Sequence, residues 1–162
     1  MGEEKGNDEL QIKVWEKTVD VQMHFNDLCL KVRSLAVSIL GVLLGASAIS
    51  YRFGGIVTVN DLEFHIAAVF IALSMMIWAA FYSMDRYWYH ELLKGAVRHG
   101  REVEKALSKS SLIISLSDSI RDASHNSLNK NAASKLNWFY MSILLVQFAM
   151  FLVVFFGSLK IA

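Results

Sequence analysis

Three long apolar runs without a charged side chain limit what this chain can fold into. They occupy residues 34–50, 66–84 and 138–159. At 1.5 Å per residue, helices of about 17 to 22 residues can cross a hydrocarbon layer of roughly 30 Å. The chain is 54% hydrophobic and lacks proline, so it is more apolar than an ordinary soluble domain. We therefore predict an all-α, polytopic membrane protein with three transmembrane helices, with a soluble helical protein as the alternative.

Lysine and arginine are distributed unevenly among the segments that flank these runs. Fourteen of the 16 lie in residues 1–33 or 85–137, whereas the loop 51–65 contains only Arg52 and the C-terminal tail only Lys160. Cytoplasmic loops of membrane proteins are enriched in these two residues. The N-terminus and segment 85–137 are therefore predicted to be cytoplasmic, and the loop and the C-terminus to face outward.

Both cytoplasmic segments next to the first two runs have a helical pattern. Residues 1–33 form a predicted N-terminal helix with apolar side chains on one face. The second segment repeats residues at spacings of three and four, namely Tyr89, Leu93, Ala96, Gly100, Val103 and Leu107. The short connecting loop makes the two spans antiparallel. We expect their extensions to pair as a cytoplasmic antiparallel helical stalk.

The outer loop 51–65 is predicted to be too short for a folded domain. Gly54 and Gly55 favour a turn, and Asn60 or Asp61 is a candidate N-cap for the next helix, with Glu63 in its first turn. Further along, residues 85–137 end in a Ser/Asn-rich linker. It contains one predicted amphipathic helix, about Ser115 to His125, which is either a tether to the third span or a docking element.

Aromatic residues cluster where the second run ends and the third begins. They are Tyr82, Tyr87, Trp88, Tyr89, Trp138, Phe139 and Tyr140. Amphipathic rings prefer the level of the lipid headgroups. We interpret the cluster as an interfacial belt in preference to a cofactor site.

Catalytic motifs are missing from the sequence. It has no phosphate-binding glycine loop, dinucleotide fingerprint, zinc-protease motif, paired cysteines or nucleophile elbow. We predict that the protein is not an enzyme and needs no cofactor. With a net charge of +1, no nucleic-acid partner is expected.

One set of polar residues recurs at helical spacing around the predicted stalk. It comprises Asp20, His24, Asp27 and Lys31 on the first extension and Asp85, Arg86 and His90 on the second. These carboxylates and imidazoles are possible ligands of a divalent metal. The favoured interpretation is an ion-pair network without metal, in which Asp27 pairs with Arg86 or His90. Asp85 then pairs with Lys31 or Arg33.

A basic face follows on the second extension. Its residues are Lys94, Arg98, Arg101 and Lys105. Such a face is attracted to anionic lipids at the membrane surface, and this interpretation is favoured over a phosphate-rich ligand.

Small residues recur along one face of the first run. They are Ser38, Gly41, Gly45 and Ala48, and they include a GxxxG pattern. Small side chains let helices approach closely in lipid, either within the hairpin or between copies of the chain. Gln147 is the only carboxamide in the three runs, and none of them contains a charge. This composition argues against a proton-coupled transporter.

The layout of residues 8–109 resembles a known group. With "HFNDLCLKVRSLAVSILGVLLG" and "MDRYWYHELLKGAVRHG", it is similar to the SLATT-type membrane proteins of bacterial antiphage systems. The third run departs from their commonest two-span form. The resemblance implies a bacterial inner-membrane protein that forms homo-oligomers and acts in antiviral defence as a pore-forming or membrane-disrupting effector. A cytoplasmic protein or nucleotide signal at the stalk would be its trigger. The alternative is an anchor or subunit that docks a cytoplasmic partner through its stalk.

Overall fold

The chain is almost entirely helical. A computed structural model describes residues 2–60, 62–110, 114–128, 132–158 and 160–161. The α-helices are α1 Gly2–Phe53, α2 Ile66–Met84, α3 His90–Leu107, α4 Leu116–Leu128 and α5 Ala132–Ser158. A π-helical segment, Asp85–Tyr89, connects α2 to α3, and a 3-10 turn, Ser108–Ser110, follows α3. Three short strands complete the described structure: β1 Ile56–Val59, β2 Leu62–His65 and β3 Lys160–Ile161.

Three helical stretches are long and apolar enough to cross a membrane. They are Asn7–Phe53, Ile66–Leu107 and Ala132–Ser158. Each contains one of the three apolar runs, apart from residue 159, which lies outside the described residues. The prediction of a helical chain with three such helices is confirmed. The N-terminal segment and the first run also belong to one uninterrupted helix, α1, which is consistent with the lack of proline.

The loop between the first two runs folds differently from our prediction. β1 and β2 form an antiparallel hairpin in which Val59 pairs with Leu62, and β3 extends the sheet by pairing with β2. Asn60 is not an N-cap. It has a φ of 48°, a left-handed conformation that asparagine tolerates in tight turns. The other candidate cap, Asp61, lies outside the described residues.

The N-cap of α2 is His65. Its Nδ1 atom accepts a hydrogen bond from the backbone N of Ala67 at 3.2 Å. Glu63 therefore belongs to β2 and not to the first turn of α2. The β-branched residues Val57, Thr58 and Val59 favour the strand, which explains why the loop forms a hairpin before the helix begins.

Contacts divide the chain into two compact units. One comprises Lys31–Asp85 and Leu136–Ala162, and the other comprises Met1–Leu30 and Arg86–Lys135. We call them the apolar unit and the polar unit. The apolar unit has a buried core of Ala36, Trp78, Leu136 and Tyr140, in which the rings of Trp78 and Tyr140 lie 4.9 Å apart.

The polar unit is held together by side-chain hydrogen bonds between its helices. Gln22 on α1 donates from Nε2 to the backbone oxygen of Ala96 on α3, at 3.2 Å. Trp15 on α1 donates from Nε1 to Glu104 on α3, at 3.4 Å. The two extensions that we expected to pair are therefore in contact. The predicted amphipathic helix is present as α4, which extends three residues beyond the predicted end.

Gly100 is the residue that lets Gln22 approach α3. A Cβ atom at Gly100 would collide with the side-chain amide of Gln22, whereas a Cβ at Gly95, on the exposed side of α3, would meet no atom within 4 Å. Alanine is favoured over glycine in a helix by about 1 kcal/mol. Displacing Gln22 costs about 0.5–1.5 kcal/mol for the lost hydrogen bond.

We therefore predict that Gly95→Ala raises the thermal unfolding midpoint of the detergent-solubilised protein. Gly100→Ala gives no such gain, because the lost contact offsets the same helical preference. The difference between the two variants is about 1 kcal/mol in the free energy of unfolding. Equal midpoints for the two variants would show that Gln22 does not need the space at Gly100.

Candidate functional site

Asp85 is a buried charged residue of the apolar unit. It directly follows α2 and has an exposed fraction of 0%. A carboxylate shielded from water is unfavourable unless it is paired. Arg33 on α1 supplies the pair with two hydrogen bonds, from Nε to Oδ2 at 2.7 Å and from Nη2 to Oδ1 at 3.2 Å. This two-pronged geometry is the strongest that an arginine and a carboxylate can form.

Tyr140 on α5 is the third member of this site. Its hydroxyl donates to Asp85 Oδ2 at 3.1 Å, and its side chain is completely buried. Tyr140 thus differs from other members of the aromatic cluster in being enclosed within the chain. Its neighbours in that cluster, Trp138, Tyr87 and Trp88, have exposed fractions of 65–68%. One carboxylate thus joins α1, the end of α2 and α5.

From Asp85 back along α2, a row of polar groups follows the contact between α2 and α5. Ser74, Trp78, Tyr82 and Asp85 follow one another at spacings of four, four and three residues, which places them on one face. Their partners on α5 run in the opposite direction along the chain. Ser74 bonds to Gln147 at 2.9 Å, Trp78 to the backbone oxygen of Tyr140 at 3.0 Å, and Tyr82 to Asn137 at 3.2 Å. We call this row the polar seam.

The polar seam joins α5 to α2 through three hydrogen bonds. On the other side of α2, Ser47 on α1 donates to the backbone oxygen of Ala67 at 3.1 Å. Hydrogen bonds therefore join α2 to both of its neighbours.

Gln147 has more polar atoms than its surroundings satisfy. It is 1% exposed, and its Nε2 atom has no hydrogen-bond partner among the described residues. Ser74 Oγ lies 2.7 Å from the backbone oxygen of Ile71 as well as 2.9 Å from Gln147 Oε1, yet a hydroxyl has one hydrogen. If the Gln147 amide is turned over, Nε2 donates to Ser74 while Ser74 donates to Ile71.

The rest of the predicted stalk network is dispersed. Asp20 pairs with Lys17 at 3.8 Å on the exposed surface of α1, and His24 lies beside Phe25. Asp27 and Lys31 are exposed. Of the two partners that we proposed for Asp85, the structure selects Arg33.

Arg86 does not form the pair with Asp27 that we predicted as one option. It instead bonds to Glu91 at 3.0 Å and lies over the ring of Tyr87. Arg86 lies within the π-helical segment Asp85–Tyr89. His90 is buried in the polar unit.

Across residues 2–60, 62–110, 114–128, 132–158 and 160–161, no three His, Cys, Asp or Glu side chains are grouped closely enough to hold an ion. The ion pair of the predicted network that the structure shows is that of Asp85 with Arg33.

Glu104 is a second buried carboxylate, which the sequence did not reveal. It accepts hydrogen bonds from the backbone N and the hydroxyl of Ser117, both at 3.1 Å, and from Trp15. Ser117 lies in the first turn of α4, where free backbone N–H groups favour a negative charge. Glu104 therefore fixes the start of α4 against α3.

The small-residue face of α1 is uncovered. Ser38, Gly41, Gly45 and Ala48 are all exposed, and a Cβ atom at either glycine would meet no atom within 4 Å. The hydroxyl of Ser38 donates to the backbone oxygen of Ser34, so the face presents no unpaired hydroxyl hydrogen. Of the two contacts that we considered for this face, the one within the chain's own hairpin is not formed by the described residues.

The basic face lies on α3, with Lys94, Arg98 and Lys105 exposed and Arg101 half-buried. Lys94 donates to Glu91 at 3.0 Å. Hydrogen bonds from Lys94 and then from Arg86 lower the pKa of Glu91, so this carboxylate stays ionised at neutral pH.

Comparison with known proteins finds no match among family models, curated proteins or solved structures. The function is therefore argued from the geometry of the chain itself.

The Asp85 site makes a prediction about stability. Arg33→Met leaves the Asp85 carboxylate buried without its cation, and breaking such a pair costs about 3–5 kcal/mol. We expect a large fall in the thermal unfolding midpoint. The double variant Arg33→Met with Asp85→Leu removes both charges and recovers most of that loss.

Arg52→Met is the matched control, because Arg52 is exposed at the end of α1 and should tolerate the change. If Arg33→Met is as mild as Arg52→Met, or if the double variant is no more stable than the single one, Asp85 does not depend on Arg33.

Proposed function

We propose that the chain is a multi-pass protein of the bacterial inner membrane. Three helices of sufficient length and apolarity support the membrane assignment. The distribution of lysine and arginine supports a cytoplasmic N-terminus, a cytoplasmic segment 85–137 and an external C-terminus. In this arrangement, the polar unit is the cytoplasmic stalk, and the Asp85 site belongs to the inner end of the membrane-spanning helices.

The protein's activity, in this proposal, is non-enzymatic and depends on self-association. Several copies join through the face formed by Ser38, Gly41, Gly45 and Ala48, and the assembly opens or disrupts the membrane. The observation that carries this proposal is that Gly41 and Gly45 of α1 are uncovered: a Cβ atom at either would meet no described atom within 4 Å. Small residues at a helix surface in lipid are typical of helix-to-helix contacts.

A single copy is poorly suited to form a polar path by itself. Its α2 and α5 helices are closed against each other by the polar seam. In lipid, backbone and polar groups must be satisfied internally or line a water-filled cavity. An aqueous path therefore requires a contact between copies.

The biological setting follows from the resemblance to SLATT-type proteins. We propose that permeabilisation stops the growth of an infected bacterium. A trigger at the cytoplasmic stalk, either a protein or a nucleotide, releases this activity.

A second candidate is a membrane anchor that docks a cytoplasmic partner and forms no pore. The observation in its favour is the polar unit, which is built around its own buried Glu104 and presents the basic face of α3. This candidate predicts that overproduced protein accumulates without harm to the membrane.

A variant with both Gly41 and Gly45 replaced distinguishes between these two functions. Gly41→Leu with Gly45→Leu adds bulk to the proposed contact, and leucine remains favourable in hydrocarbon, so insertion is retained. We predict that this variant loses both its oligomer and its ability to depolarise growing cells. The measurements are crosslinked mass and membrane potential after induction.

The control is Val42→Leu with Ile49→Leu, which changes two exposed residues that already carry branched apolar side chains and so adds little bulk to the same helix. It should keep both properties. If the glycine variant remains oligomeric and active, this face is not the interface. If the unmodified protein never depolarises cells, the anchor function replaces the effector function.

A further inference from the structure

Three of the four residues of the basic face line a cavity beside α3. Its volume is about 340 Å³, and it is lined by the basic residues Lys94, Arg98 and Arg101 together with His90, Leu93 and Val97. Spacings of four and three residues place the three cations on one side of the helix. Lys105, the remaining member of the basic face, does not line the cavity.

The positive charge in this cavity is only partly compensated. Glu91 is bonded to Lys94 but is shared with Arg86, at 3.0 Å from each cation. Asp118 lies 3.8 Å from Arg101 but 3.2 Å from Arg121, with which it is shared. Arg98 has no carboxylate within ion-pair distance among the described residues. The two guanidinium groups therefore carry the excess charge.

Arg101 also has an unused donor. Its Nε atom is buried and makes no hydrogen bond to any described residue. The 3.8 Å separation from Asp118 Oδ1 is too long for a hydrogen bond. A buried N–H group without an acceptor is unfavourable, and Arg101 is one of the residues that line the cavity.

We propose that this cavity binds a phosphate group through Arg98 and Arg101. Guanidinium groups match the geometry of phosphate oxygens with paired hydrogen bonds, which a lysine cannot do. Leu93 and Val97 provide an apolar wall for the adjoining part of the ligand. The phosphate belongs either to a lipid headgroup or to a soluble phosphate compound.

The test uses the purified full-length protein and two probes. Calorimetry with inorganic pyrophosphate in detergent measures binding of a soluble phosphate. Reconstitution into nanodiscs of phosphatidylcholine, with or without phosphatidic acid, measures the lipid source through the shift in unfolding temperature. These readouts do not depend on permeabilisation, so they distinguish a failure of this inference from a failure of the proposed function.

Arg98→Gln with Arg101→Gln removes the two proposed ligands, and Lys105→Gln with Lys109→Gln removes two charges elsewhere. We expect the first variant to weaken binding of the active probe by about tenfold or more, and the second by less than about threefold. Arg98→Gln alone repeats the test at an exposed residue whose loss should not affect folding. Equal losses in the two double variants, or no response of the unmodified protein to either probe, would overturn the proposal.

Discussion

The burial of one carboxylate constrains the arrangement of the apolar unit. Asp85 has no access to water, so its charge must be satisfied by side chains from elsewhere in the chain. Arg33 reaches it from α1 and Tyr140 from α5. Because both partners must approach the same pair of oxygen atoms, the three helices have a fixed register at this level. An apolar residue in place of Asp85 would leave sliding and rotation of the helices less restricted.

The remaining polar contacts of this unit continue from that fixed point. The polar seam lies on the face of α2 that contacts α5. Ser47, on α1, donates a hydrogen bond to the start of α2. Among the residues that the structure describes, none covers the glycines of the small-residue face of α1. In the polar unit, the Glu104 carboxylate is likewise occupied by its hydrogen bonds to the start of α4. Our proposal of self-association therefore concerns the surface that these structural bonds leave unused.

Sequence patterns predict the helices and the Arg33 option for Asp85 because hydropathy and charge spacing are local properties. They do not distinguish Tyr140, which is buried, from Trp138, which is exposed, because both rings occur where the third run begins. Glu104 and Ser117 meet although they lie thirteen positions apart on two different helices, a contact that no helical period describes. The hairpin was missed because Asn60 favours both helix caps and tight turns.

The most direct test of this account is the location of two reporters in growing bacteria. One reporter is fused after Ala162, and the other is inserted near Ser127. Three membrane-spanning helices with a cytoplasmic polar unit place the first reporter outside and the second in the cytoplasm. Reporters on the same side, in the opposite arrangement, or in protein that does not sediment with membranes would contradict the account.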